Sequence, residues 1–167
     1  MAVSIRDMRG DDKRRLMDIL RHTPQFKHGE VLVAEEVIDC YLEDGPPSGY
    51  GILVAEGEDG VAGYICFGPT PLTEGTWDIY WEAVAPEKQG RGIGGSLMEA
   101  AEAKIWQAGG RLILIETSSI PSYEKTLSFY KSHDYEVVSQ VPDFYAVGDD
   151  RLILRKKISD SSYTGLA

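Results

Sequence analysis

Cysteine is scarce. Cys40 and Cys66 are the only two in 167 residues, and no Cys-x-x-Cys pair exists. A disulfide framework or a structural zinc site is therefore excluded as an organising device, and no metal is expected. Positive charge is also short. Lys and Arg number 17 against 27 Asp and Glu, a net charge of −10. That balance argues against non-specific nucleic-acid binding, which needs clustered cations, and suits a cationic small substrate better. No apolar run nears the ~20 residues that span a bilayer, so no membrane partner is expected. The opening MAVSIRDMRGDDKRR lacks the apolar stretch of a secretory signal. A cytoplasmic, reducing location follows as the expectation. Repeats and low-complexity tracts are missing too. What is present is ordinary globular composition, 43% apolar and 26% charged, at a length suited to one domain. We expect that domain over residues 1–158 and a flexible small-residue tail over 159–167.

Periodicity supplies the elements. Val3 to Arg6 reads as a short strand. Asp11 is placed to cap a helix reaching Arg21, with Leu16, Ile19 and Leu20 on one face. A second helix is expected from Glu30 to Leu42. Tyr50 to Glu56 and Val61 to Phe67 read as a hairpin across Gly57-Glu58-Asp59-Gly60. Thr76 to Val84 is a longer strand. Strict alternation puts Trp77, Ile79, Trp81 and Ala83 on one face and Asp78, Tyr80, Glu82 and Val84 on the other. A helix from Gly92 to Ala108 stops at Gly109-Gly110. Leu112 to Thr117 is a strand, Tyr123 to Lys131 a helix, and Tyr135 to Val141 and Leu152 to Ile158 the last two strands. The expected class is α/β, with a mixed, mostly antiparallel central sheet and crossover helices in the order β-α-α-β-β-β-α-β-α-β-β.

The segment Gln89-Gly90-Arg91-Gly92-Ile93-Gly94-Gly95 joins a strand to a helix and holds four glycines in six residues. Glycine lets the backbone take positive φ and lets a ligand approach closely. The helix start offers about four N–H groups without intrahelical partners and a partial positive charge. Together these form a phosphate cradle, to which Arg91 adds a charge. No Lys-Ser or Lys-Thr follows, so a Walker loop is excluded. Gly90, Gly92 and Gly95 meet G-x-G-x-x-G literally, with Glu116 about 20 residues on. Context weighs against a dinucleotide site, because Ala85 to Gln89 intervene between strand and glycines and the preceding strands read as antiparallel hairpins.

Gln89 to Gly94, approached through Ala83-Val84-Ala85-Pro86, resembles the Q/R-x-x-G-x-G/A acyl-coenzyme A motif of the GNAT superfamily of N-acetyltransferases. Phe129-Tyr130-Lys131-Ser132-His133-Asp134-Tyr135 resembles the family's F-Y-x-x-x-G-F/Y segment. The element order matches the family from about Val3 to Ile158. Asp134 departs where glycine is usual, and Tyr123 where many members carry asparagine. The resemblance implies acetyl-CoA as co-substrate, its diphosphate on the amides of Gly90 to Gly95. Its pantetheine arm would pair as a pseudo-strand where the Val84 strand splays from the Ile115 strand. Ala83, Val84, Gln89, Arg91, Ile93 and Tyr123 complete the implied cofactor contacts, and the Val84 N–H would face the thioester oxygen. It also implies direct acetyl transfer to a primary amine, a small molecule or amino-acid-like acceptor, in a ternary complex. Alternatives are a non-catalytic acyl-CoA sensor and a protein N-acetyltransferase.

Tyr130 matches the family's general acid. A phenol near 10 is a weaker acid than a thiol near 8.5, so a hydrogen bond to the developing thiolate is at least as plausible as full transfer. For the base, Asp78, Glu82, Glu116 or a water chain stay open; Glu82 lies nearer the thioester by about 7 Å. His22 and His28 flank the loop between the first two helices, and His133 reads as structural. Cys40 and Cys66 read as apolar fillers. Asp143-Phe144-Tyr145 and Gly148-Asp149-Asp150 are expected in the loop between the last two strands, either a plain polar hairpin loop or, as the resemblance implies, one that closes over the acceptor. Trp77 and Trp81 are expected beneath the sheet, and an exposed tryptophan would suit a homodimer.

Overall fold

A computed structural model describes residues 2–159, so the expected tail lies outside the described residues from 160 onward. Seven strands form one sheet: β1 (Ser4–Asp7), β2 (Gly51–Gly57), β3 (Gly60–Pro69), β4 (Thr76–Val84), β5 (Leu112–Ser118), β6 (Glu136–Ala146) and β7 (Asp149–Lys157). Their spatial order is β1-β2-β3-β4-β5-β7-β6, and only the β4–β5 pair is parallel. The helices are α1 (Lys13–Arg21), α2 (His28–Asp44), α3 (Ile93–Gln107) and α4 (Glu124–Ser132). A mixed sheet with helical crossovers is what the sequence periodicity predicts.

Alternation along the central strands builds two cores. Ile52, Val54, Tyr64 and Cys66 pack with Leu16, Ile19 and Leu20 of α1 and Ile38 of α2. Leu53 and Ile65 point the other way, onto Leu97, Met98 and Ile105 of α3. The first helix starts later than expected. Gly10–Asp12 is a 3-10 turn, and Asp12, not Asp11, organises it. The Asp12 carboxylate accepts the Arg9 N–H at 2.8 Å and a bidentate pair from Arg6 at 2.8 and 2.9 Å. Cys66 is buried as expected, but Cys40 lies on the exposed side of α2.

Two further corrections bear on function. The β3–β4 register slips between Cys66 and Phe67, which pair with Trp81 and Ile79 and leave Tyr80 as a bulge. A bulge inserts one residue and reverses the alternation beyond it. Trp77 and Ile79 therefore pack on the α3 side, whereas Trp81 and Ala83 pack on the α1 side. Glu82 is moved to the α3 side, away from the face that strict alternation assigns to it beside Asp78. The loop between the last two strands is also shorter than expected. β6 runs to Ala146, so Asp143, Phe144 and Tyr145 belong to the strand and only Val147-Gly148 turns.

Candidate active site

β4 and β5 pair over four positions, from Thr76 with Leu112 to Ile79 with Ile115. Beyond that point both strands continue unpaired to each other, β4 to Val84 and β5 to Ser118. The orientation of the β4 peptides in this gap follows from the ladder to β3. The Ala85 N–H donates to the Ala62 carbonyl at 2.8 Å. Hydrogen-bonded and open pairs alternate along an antiparallel ladder. Val84 opposite Gly63, and Glu82 opposite Ile65, are thus open pairs, and their peptide groups point into the gap. Ala83 does the reverse: its peptide groups face Tyr64 and its side chain is buried in the α1-side core, so it has no polar group for a ligand in the gap. Gln89 sends its side-chain amide back to the Val84 carbonyl at 3.2 Å.

The glycines of the turn divide into two kinds. Gly90 (φ 76°) and Gly92 (φ 79°) take left-handed backbone, and a Cβ on either would meet nothing within 4 Å. Gly92 is the residue from which α3 starts, and its carbonyl accepts the Ser96 N–H. The N–H groups of Ile93, Gly94 and Gly95 precede that first helical bond. Ile93 buries its side chain, and Arg91 is exposed. Gly94 and Gly95 are small because of what lies against them. A Cβ at Gly94 would come 2.9 Å from a Glu82 carboxylate oxygen and 3.3 Å from the Phe129 ring, and one at Gly95 would come 3.3 Å from His133.

Below this turn, the gap opens into a cavity of about 410 Å³. Glu82, Tyr130 and Asp78 all line it. Glu82 is part-buried, and its carboxylate Oε2 is enclosed with no hydrogen-bond partner among the described residues. Burial, with a smaller push from Glu102, raises it to about 8. Tyr130 is buried at the end of α4, and burial together with the Glu82 charge pushes its phenol up. Asp78 accepts a hydrogen bond from Thr70 at 2.6 Å. Glu116 sits 3.7 Å from Arg151 and is half exposed.

Tyr123 donates its hydroxyl to the Gln25 carbonyl at 2.8 Å, tying the α1–α2 loop to α4. Its hydroxyl is thus occupied by that loop; burial, then Glu30, raises it to about 12. Tyr145 of β6, Ser118 of β5 and Asp149 of β7 close the same cavity. Ser118 and Asp149 form a buried hydrogen-bonded pair. Of the histidines, His133 stacks on Phe129 at 4.7 Å, and His22 bonds the Asp18 carbonyl at 2.8 Å. Motif reading misses Phe26, Glu30, Thr117 and Ser118, which also line the cavity; they come from scattered elements and carry no local pattern. The bulge did leave a trace. Ile79-Tyr80-Trp81 puts three large apolar residues in succession, which strict alternation does not accommodate.

The family model of the acetyltransferase (GNAT) domain matches residues 48–137. The chain belongs to the GNAT family. A structure from Desulfovibrio desulfuricans, assigned to the acetyltransferases of this family, is 37% identical, covers 95% of this chain and 100% of its own, and superposes with a TM-score of 0.91. An aminoglycoside 6'-N-acetyltransferase complexed with coenzyme A shares the fold at 19% identity, with coverage of 93% and 97% and a TM-score of 0.74. The ribosomal-protein-S18-alanine N-acetyltransferase of Escherichia coli shares it at 16% identity, with 95% of each chain covered and a TM-score of 0.75. Comparison with curated proteins gives no match. The GNAT fold explains Asp134. It takes φ 68°, the left-handed conformation for which glycine is the usual residue. Among the described residues of this GNAT acetyltransferase, no helix is long and apolar enough to cross a membrane.

Proposed function

We propose that this enzyme transfers an acetyl group from acetyl-CoA to a small primary amine, by direct attack in a ternary complex. The observation that carries the reading is the gap itself: the Glu82 peptide groups and the Val84 N–H on one lip, the α3 amides above, and a carboxyl and a phenol below. The cradle has room for the donor. Gly90 and Gly92 face open space, and the N–H groups of Ile93, Gly94 and Gly95 present partial positive charge to a diphosphate. Gly94 serves a second purpose, since its missing Cβ lets Glu82 sit against the helix start. Two unpaired thiols fit a reducing, cytoplasmic setting.

In this reading Glu82 is the base. It lies two residues from Val84, whereas Asp78 is farther along β4 and holds Thr70. Near pH 8 a carboxyl is basic enough to take a proton from an ammonium whose own acidity rises on desolvation. The freed amine attacks the thioester carbonyl carbon, a C–N bond forms, the C–S bond breaks, and the second proton of the nitrogen passes to the leaving sulfur, giving amide and free thiol. The Val84 N–H donates to the carbonyl oxygen as negative charge grows there, a contribution of about 3–4 kcal/mol for a well-placed donor. Tyr130, its phenol held protonated by burial, donates a hydrogen bond to the leaving thiolate. Tyr123 and Tyr145 wall the acceptor side. A panel of amines with acetyl-CoA, followed by free-thiol release, tests the activity. Calorimetry with coenzyme A tests the cradle, and an absence of both heat and thiol release refutes the proposal.

A further inference from the structure

We infer that the acceptor is a polycation: a primary amine carrying a second ammonium a few bonds away and no carboxylate. This inference rests on the acetyltransferase reading above and names its substrate class. The first observation is the carboxyl at the back of the cavity. The Glu82 Oε2 is enclosed and meets no hydrogen-bond donor among the described residues. A buried carboxyl without a partner holds its proton, and an ammonium brought beside it supplies the missing donor and favours the charged form.

The second observation is what lines the rest of the cavity. Glu30 at the start of α2, Asp78 on β4, Glu116 on β5 and Asp149 on β7 all border it. Lys27 is the lone cationic side chain among the lining residues. Arg151 lies outside the lining and sits on Glu116 and the Phe144 ring. Glu116, Asp149 and Glu30 line the cavity together with Tyr145. After burial, their charges hold Tyr145 up, with Arg151 acting against them. A negative station therefore lies at the outer end, distinct from Glu82.

Spacing favours two ammonium groups over one. Glu82 and Asp78 pair with Ile65 and Gly68 on β3, three residues apart. That places their backbones about 10 Å apart, on opposite faces of β4 because of the bulge between them, with both side chains reaching the cavity. Phe26, Tyr80 and Trp81 line the same cavity, flat surfaces that suit a methylene chain and attract its charged ends. No arginine lines the cavity to fork onto a carboxylate. An α-amino acid would bring its own negative charge against these acids. The net charge of −10 draws such a polycation in from solution.

The test compares 1,4-diaminobutane, butylamine, the α-amino acid that carries the same two amines, and a lysine-rich peptide. Free-thiol release with acetyl-CoA is the readout, alongside calorimetry with coenzyme A. We expect kcat/KM for the diamine about tenfold or more above butylamine and above the amino acid, with the advantage shrinking as salt rises. Glu30→Gln with Glu116→Gln should lower the diamine-to-butylamine ratio severalfold, chiefly through KM. Equal rates for diamine and butylamine, a preference for the amino acid, or turnover of the peptide alone overturns the inference and leaves the acetyltransferase reading standing. Heat with coenzyme A but no thiol release from any amine overturns both, and no heat at all removes the cradle on which both depend.

Discussion

At the head of α3 the exposed polar groups belong to the main chain: the Val84 N–H and the amides from Ile93 to Gly95, beside two left-handed glycines. In the cavity beneath, the chain offers side chains gathered from α2, β4, β5, β6 and β7. The two ends obey different constraints. Peptide groups are the same for every residue, so the first end is specified by where glycine sits. The second end is specified by which side chain each distant element happens to deliver, so it is free to vary without touching the first. Glu82 stands between them. It touches Gly94 with its carboxyl and borders the acceptor cavity.

Glu82→Gln probes that boundary most sharply. We expect kcat to fall about 10²–10³-fold while the heat of coenzyme A binding stays the same. In the parent enzyme the carboxyl keeps its proton up to about pH 8, so the rate should climb as pH rises through that value. The variant should lose that limb, and its persistence would move the base elsewhere. The same carboxyl holds its proton more tightly folded than unfolded. Its contribution to stability is therefore full below the ordinary carboxylate range and fades as pH rises toward 8. Chemical denaturation across that window should show a flatter profile in the variant.

Tyr130→Phe should lower kcat about 10²-fold with donor affinity retained; equal loss in affinity would make Tyr130 part of the cradle instead. Gly94→Ala tests the contact between the two ends. Its Cβ would press on Glu82 and Phe129, costing about 1–3 kcal/mol and lowering the rate as well as the melting temperature. Gly92→Ala meets only open space, so its cost is conformational, about 1–2 kcal/mol, and should appear in thermal stability and donor affinity. The smallest change is Asp134→Gly. Relief of a left-handed aspartate, offset by a looser unfolded chain, should stabilise the fold by about 0.5 kcal/mol, with activity unaltered.

This division also decides what the sequence discloses. The cradle is legible because glycine, strand and helix start are consecutive. The sheet is legible because β4 matches its expected bounds, Thr76 to Val84. The face of Glu82 is not, because the bulge at Tyr80 arises from how β4 meets β3, a relation between segments. Nor is the role of Tyr123, whose partner Gln25 lies 98 residues away. Asp143 and Tyr145 read as loop because Pro142 and Asp143 suggest a turn. The strand absorbs them through a register slip and a positive φ of 54° at Asp143.

The seam between β4 and β5 has a mechanical side. Strands β1 to β4 hold together as one antiparallel unit and β5, β7 and β6 as another, with four residue pairs fastening the two. So short a lateral joint is the seam along which the two units can spread. An extended ligand bearing its own amides would lengthen that joint by supplying the missing rungs. Occupancy should then be visible as resistance to heat and as slower amide exchange along Glu82 and Val84, even with an analogue that never reacts.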